Sequence, residues 1–517
     1  MVFLSERFVK GIALGYVGLP TVIFLSTWIR PLIGIPCAVM VVTALVWLFQ
    51  RSGREDPDAF IPMLKTVDGI VIRNWVAFLA ALLVLVWCVL AGQGGFVVQT
   101  WDWNFRNAVF RDLIVHDWPV VYDKGNLALS YYIGHWLPPA LLGRMFYLLS
   151  GDLDLVWSLA NVFLLLWTFC GVLIVVCLLW FAFDARTWQA QLLLLLLLVS
   201  FGGLSLVGKN ILRVKQLLLG QEWKHHGTWA GIFDFSPNCT LLYWVFHQTV
   251  VPWILTLLLV MARNASGVVL LLSLCLLCGP MPAAGLAFFV GLMGVCSLVR
   301  TFLASNRRTA LVAWFRSYFS FPNLVGMAVI MPVVFLYLTA NSRAGSCSFA
   351  WGVCDFSWSR YLLFVFCEVG IYFALTAKWR CCWWWMALAW LMICPLVKIG
   401  CGYDFCMRAS IPALFVLMLI VSKAMAASCW KWRLLLLTVL LVGGLAPSAA
   451  GHLLFVRKTF RYWPEVCRED RIRTLARPAC EIRVVRRLDA FMQDGLMNFL
   501  CYAPNESAFF KWLSAKR

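Results

Sequence analysis

Acidic side chains are scarce in this chain: 24 Asp and Glu in 517 residues, within a total of 13% charged residues. A water-facing domain carries about a quarter of its residues as charges, so this chain is not an ordinary soluble protein. It has no G-x-x-x-x-G-K-[ST] loop and no G-x-G-x-x-G following a strand, which excludes a fused nucleotide-binding domain. The ten-residue alternating segments of a membrane β-barrel are missing. No C-x-x-C is matched by a second C-x-x-C or an H-x-x-x-H, so a structural zinc site has no basis. The N-terminus lacks a small-residue cleavage site behind its apolar segment and reads as an uncleaved first helix.

What is present is apolar. Hydrophobic residues make up 62% of the chain and the mean hydropathy is +0.84. Apolar runs near twenty residues recur, the signature of an all-α, polytopic transmembrane bundle. The net charge of +19 would point to nucleic acid in a soluble chain. Here Lys and Arg flank the apolar runs, where they set topology and meet anionic lipid. The expected partner is therefore membrane lipid and not nucleic acid. The 28 Trp and 13 Tyr suit interfacial belts. Most of the 20 Cys sit within apolar runs and act as small hydrophobes. Cys347 with Cys354, and Cys467 with Cys480, are candidates for disulfides if those segments face an oxidising space.

Thirteen crossings are expected, about 13 helices in all. They divide as an N-terminal hairpin with a cytoplasmic connector (1–73), a core (74–450) and a polar tail (451–517). From His452 onward the tail holds 13 Lys and Arg against 7 Asp and Glu. Hairpins are read at Leu155–Phe183 with Gln189–Val207, and within Ser266–Leu303 folded at Gly279-Pro280. A further helix is read at Ile482–Phe499, and the terminal FFKWLSAKR suits a membrane surface. Counting Lys and Arg in short loops places Lys10, Arg51, Arg186, Arg263 and Arg300–Arg316 in the cytoplasm. The loops 93–154 and 208–247, the segment GCGYDFCMR and the tail then lie outside, together with all six histidines.

The outer loops carry the chemistry. Between Trp101 and Arg144 lie Asp102, Asp112, Asp117 and Asp123, a concentration of charge beside a membrane that points to a polar site. A helix over Asn104–Ile114 would set Asp112 and His116 on one face. Asp102 stands one turn before Arg106. It reads either as a general base or divalent-cation ligand, or as a helix cap with a local ion pair. Trp101, Trp103 and Trp118 are candidates for stacking on sugar rings. Lys209 and Arg213, one turn apart in KNILRVKQLLL, mark an amphipathic interfacial helix. Glu222, Lys224, His225, His226, His247 and Gln248 form a third polar group, which suits either a sugar or pyrophosphate or simply His and aromatic residues at the membrane interface. The adjacent His225-His226 make a poor metal pair, since neighbours diverge on a helix. Asp404 and Arg408, four apart at the mouth of a helix, suit either a phosphate grip or an internal ion pair. Glu368 is a rare acid inside a crossing and reads as a proton or substrate site.

Five stretches, WDWNFRNAVFRDL, WPVVYDKGNLALSYYIGHWLPPAL, SPNCTLLYWVFHQTVVPW, DFCMRASIPALF and NESAFFKWL, resemble a family of bacterial polytopic membrane proteins. Its layout is similar to the GT-C glycosyltransferase superfamily. That resemblance implies an enzyme of the bacterial cytoplasmic (inner) membrane with an extracytoplasmic active face. It would take a sugar from a polyprenyl-phosphate-linked donor and pass it to a glycan or glycolipid acceptor of the cell envelope. Asp102 corresponds to the first-loop acidic base, with Asp112 or Asp117 the nearest second acid. Arg408, with Lys209 or Arg213, corresponds to the basic group on the lipid phosphate. The cofactor such chemistry admits is a divalent cation, magnesium or manganese, on Asp102. Residues 1–73 stand as a prefix to that layout. Two other readings remain: an O-antigen polymerase or ligase relying on Arg408 and His247, and a lipid-linked glycan flippase or transporter.

Overall fold

The computed structural model describes residues 1–51, 63–64, 67–99, 102–122, 126–218, 229–341, 347–353, 355–399, 403–461, 474–475 and 498–515. The described residues are 75% helix and 6% strand. Among the described residues, seven helices are long and apolar enough to cross a membrane, or eight if one bent pair counts as a span. The first part of the chain supplies α1 (Glu6–Trp28), α2 (Pro31–Arg51), α3 (Asn74–Leu90), α4 (Trp103–Val115), α5 (Leu137–Ser150) and α6 (Leu153–Ala182). The middle supplies α7 (Trp188–Ser200), α8 (Ser205–Leu218), α9 (Asn238–Val245), α10 (Val250–Val260), α11 (Val268–Leu276) and α12 (Pro280–Leu303). The last part supplies α13 (Phe321–Thr339), α14 (Trp358–Leu375), α15 (Cys382–Ile393), α16 (Asp404–Ala409) and α17 (Ile411–Ala427), then helical turns over 430–461.

Burial ranks these helices. The apolar window of α1 is 67% buried and that of α2 only 22%, so α1 is central and α2 faces lipid. The buried side of α2 is Gly34, Ala38, Val41 and Ala44. Small residues there let the two backbones approach, since lipid offers no hydrophobic drive to pair them.

Short antiparallel pairs close the ends. β1 (Val2–Ser5) pairs with β2 (Gly69–Ile72), β3 (Val121–Tyr122) with β4 (Leu127–Leu129), and β5 (Cys347–Phe349) with β6 (Val397–Ile399). β7 (Leu500–Tyr502) returns from the tail to pair with β4, Ala128 opposite Cys501. The tail thus completes a sheet with the acidic loop. It also seats Phe509 against Phe24 and Tyr337, and Ala515 N–H donates to the Trp28 carbonyl at 3.0 Å. So 509–515 is docked on the bundle, where the sequence led us to expect a segment on a membrane surface. The helix expected at Ile482–Phe499 and the Cys347–Cys354 and Cys467–Cys480 pairs involve positions outside the described residues.

Contacts sort the helix ends into two groups. At one end, Glu6 N–H donates to Asp68 and its carboxylate meets Lys10 at 2.7 Å and Arg263 at 3.8 Å. At the other end, Ser130 donates to the Tyr337 carbonyl at 2.8 Å and Asn341 donates to Ser130 at 2.6 Å.

α7 and α8 were expected to be a crossing followed by a separate surface helix. They instead form one apolar stretch, Trp188–Val214, interrupted at Phe201–Leu204. That interruption receives two π-turn segments, Phe366–Gly370 within α14 and Leu441–Leu445. Leu204 N–H donates to the Cys367 carbonyl at 3.0 Å, and Tyr372 donates to the Gly202 carbonyl at 2.8 Å. Widened turns free backbone groups, and these bonds occupy part of what the break leaves open. Lys209 and Arg213 are exposed on α8 beyond this junction.

Candidate functional site

The site forms around a broken helix. α9 and α10 are bent by 100° at Phe246-His247-Gln248-Thr249. Pro252, in the first turn of α10, has no N–H to return to the Gln248 carbonyl, so a helix running through is disfavoured. The Thr249 hydroxyl donates to Val245 at 2.8 Å and its N–H to Phe246 at 3.1 Å, which hold the corner.

His247 sits at that corner and is 1% exposed. Its ring stacks with Tyr132, parallel within 6° at 5.5 Å, and with Trp136 at 4.6 Å. Its Nε2 is 3.3 Å from the Gln248 amide nitrogen and 3.5 Å from the Tyr131 hydroxyl. Two rings set the imidazole plane and one edge is occupied.

α4 contributes the next layer. It runs Trp103–Val115, as its pattern implied, and Asp102 precedes it without a capping hydrogen bond. Asp102 Oδ2 instead accepts from Arg106 Nη2 at 3.1 Å. Arg106 also donates to the carbonyl of Trp244, one of the last carbonyls of α9, which have no helical partner. Its guanidinium lies 5.9 Å from the Trp103 ring and 5.7 Å from the Phe246 ring, a cation–π setting. The Arg106 side chain is 5% exposed and that of Asp102 48%. Burial pulls the Arg106 pKa down and Asp102 opposes it.

α16 brings the second guanidinium. Arg408 Nη1 is 2.9 Å from Asp404 Oδ1, with Arg408 in the last turn before α17 begins. Burial works against the Arg408 charge, yet Asp404 and the neighbouring Tyr132 and Tyr131 phenols carry its pKa above the ordinary guanidinium value. Arg106 and Arg408 act electrostatically on each other and both act on His247. Burial raises the Tyr403 pKa, and the charges of Asp234, Asp404 and Asp102 add to that shift. The acidic loop and the DFCMR segment therefore meet at one end of the bundle.

The expected residues are distributed as follows. Asp102, His247, Gln248, Asp404 and Arg408 share this neighbourhood. Asp112 and His116 do share a face of α4, 3.9 Å apart, but Asp112 is buried and accepts from Tyr122 at 2.6 Å and from Leu475 N–H at 3.0 Å. Its carboxylate anchors the tail. Asp117 pairs with Arg144 across the loop. Trp103, expected to stack on sugar, is instead 2% exposed with its ring parallel to Phe246 at 4.9 Å, so it is a packing residue. Trp118 is half-buried and donates to the Leu113 carbonyl at 2.8 Å. Lys209 and Arg213 are exposed on α8, a helix that packs on the Glu368 turn, and neither contributes to the Arg408 contacts given above. Trp101 and His225 lie outside the described residues. Sequence reading assigned no role to Tyr131, Tyr132, Tyr403 or Asp234. The adjacent tyrosines before a His were a visible signal, but nothing local marks them as neighbours of Arg408.

A divalent cation does not fit well here. Among the described residues no three of His, Cys, Asp or Glu converge, and Asp102 commits one oxygen to Arg106. What the arrangement offers is two buried guanidiniums, each paired with a more exposed carboxylate, Asp102 the more open of the two.

Fold and site together define a multi-pass α-helical membrane protein with a polar cluster gathered on a broken helix at one end. Comparison with protein families, curated proteins and solved structures gives no match.

Proposed function

We propose that the protein is a GT-C-like membrane glycosyltransferase. It would move a sugar from a polyprenyl-phosphate carrier to a cell-envelope glycan or glycolipid on the extracytoplasmic side of a bacterial inner membrane. Thirteen crossings with the polar cluster outside complete this reading. One observation carries it: Asp102 and Arg408, from distant parts of the chain, both act on Arg106 and Tyr403, and Arg106 and Arg408 both act on His247.

The chemistry follows from their exposure. The half-exposed Asp102 faces an acceptor arriving from water, and the buried Arg408 faces a lipid-borne phosphate. The acceptor oxygen attacks the anomeric carbon and the bond from that carbon to the phosphate oxygen breaks, with inversion. Asp102 takes the acceptor proton on the oxygen not bound to Arg106. The electron pair stays on the leaving phosphate, where preorganised guanidinium donors stabilise it.

The test is transfer of labelled sugar from polyprenyl phosphate by the purified protein. Asp102→Asn is expected to lower transfer about 10²–10⁴-fold with an unchanged melting curve. Undiminished transfer removes Asp102 from the mechanism. A second reading, a lipid-linked glycan polymerase or ligase, is favoured by the pairing of Asp102 with Arg106, which leaves His247 and Arg408 as the principal groups. It requires His247→Ala and Arg408→Ala to cost far more than Asp102→Ala. Movement of a lipid-linked glycan without covalent product would support the transporter reading, in which buried Glu368 has the central part.

A further inference from the structure

Among the described residues, the buried nitrogens of the site without a hydrogen-bond partner include Arg106 Nη1, Arg408 Nε and His247 Nδ1, with Trp136 Nε1 and His135 Nδ1 beside them. The tautomer of His247 follows from its other nitrogen. Nε2 faces the Gln248 amide nitrogen, a donor, and the Tyr131 hydroxyl. Nε2 is thus the acceptor and the proton is on Nδ1. The stacked Tyr132 and Trp136 rings fix the direction in which that N–H points. The Gln248 Oε1 is the unpaired acceptor alongside, suited to a sugar hydroxyl. Buried donors left unpaired are costly and rare, and three on side chains that act on one another imply an anion with several oxygens.

We infer that these three groups form a socket for the leaving phosphate, in which His247 Nδ1–H takes the oxygen released when the glycosyl–phosphate bond breaks. This rests on the glycosyl-transfer reading above. A sugar linked to a prenyl phosphate is a phosphodiester with two free oxygens. When the carbon–oxygen bond breaks, the bridging oxygen keeps the electron pair and the product is a phosphate monoester with three. The three nitrogens of the socket equal in number the three free oxygens of the product and exceed by one the two of the substrate. Two guanidinium N–H groups hold the ground state. His247 acts only as charge develops, which lowers the barrier without tightening substrate binding.

The probes are farnesyl phosphate, a monoester, and methyl farnesyl phosphate, a diester, titrated onto the full chain in detergent. The wild type is expected to bind the monoester about tenfold tighter or more. The monoester also carries more charge, so the variants decide. His247→Phe keeps the ring stack and loses the N–H; the preference should fall at least about fivefold, with diester affinity unchanged. His247→Asn, whose amide N–H₂ occupies the position of Nδ1, should retain it. Should the Phe variant not fold, Asn compared with Gln, whose amide reaches the Nε2 position, makes the same test. Equal binding of both probes by the wild type, or an undiminished preference in His247→Phe, overturns the socket. In a transfer assay His247→Phe should lower kcat and leave KM, a split that a packing role would not produce. The binding comparison needs no turnover. Absence of sugar transfer with the preference intact refutes the glycosyl-transfer reading, whereas transfer at full kcat in His247→Phe refutes only the socket.

Discussion

Arg106 is buried while its partner Asp102 is half exposed, and the same asymmetry holds for Arg408 and Asp404, at 13% and 33%. Water screens the carboxylates more than the guanidiniums, so the inner side of the cluster is positive. Arg106 Nη2 also bonds the end of α9, and its planar guanidinium lies beside the Trp103 and Phe246 rings, a setting that the compact, strongly hydrated ammonium of a lysine does not reproduce. Arg106→Lys is therefore expected to lower the melting temperature by several degrees and weaken farnesyl phosphate binding, measured by thermal shift with and without that lipid. Asp234 gives a pH-dependent test. Burial raises its pKa to about 6, against a hydrogen bond from Ser236 that lowers it. An acid with a raised folded pKa favours the folded state at low pH, and that contribution is lost as pH rises through about 6. Asp234→Asn, which keeps an acceptor for Ser236, should raise the melting temperature at pH 8 and leave it unchanged at pH 4. A gain of equal size at both values would show that ionisation is not the cause.

At the scale of elements, the joints between helices carry the specificity. A Cβ on Gly203 would lie 1.9 Å from Glu368 Oε2 and 2.6 Å from Glu368 Cα, and one on Gly444 would lie 1.6 Å from the Ser200 carbonyl oxygen. Backbone cannot yield at both contacts. Gly203→Ala and Gly444→Ala are expected to cost about 1–3 kcal/mol or more each, read as earlier unfolding in detergent. Gly15→Ala, inside α1 and meeting nothing within 4 Å, is the matched control and should be neutral to slightly stabilising. Much of this level was legible from the residues. The α4 periodicity, the hairpin of α6 and α7 around Asp184-Ala185-Arg186 and the fold at Gly279-Pro280 all follow local rules of apolar spacing and breakers. The α7–α8 continuation was not. KNILRVKQLLL has the pattern of a surface helix, but packing of the Glu368 and Gly444 turns onto Phe201–Leu204 extends it in line with α7.

For the whole molecule, the tail acts as a strap across the polar end. Phe509 fills a pocket with Phe24 and Tyr337, and Phe509→Ala is expected to cost about 3–5 kcal/mol, measured as loss of the folded monomer on heating in detergent. Topology has its own test. In a background with the exposed native cysteines replaced, cysteines introduced at Asp117 and Tyr403 should react with a membrane-impermeant maleimide from one side, and one at Arg263 from the other. Reaction of Asp117 and Tyr403 from opposite sides would undo the shared site. The residues alone determined that this is a helical membrane protein and which of its loops are polar, because hydrocarbon imposes a length and a composition on any segment that crosses it. They also marked Asp102, His247 and Arg408 individually, since charge and imidazole beside a membrane are costly. Only the tertiary structure decided that Arg106 feels both Asp102 and Arg408, that Asp112 holds the tail and that Trp103 is packing. Those outcomes depend on contacts between segments far apart in the chain, and no local periodicity encodes them.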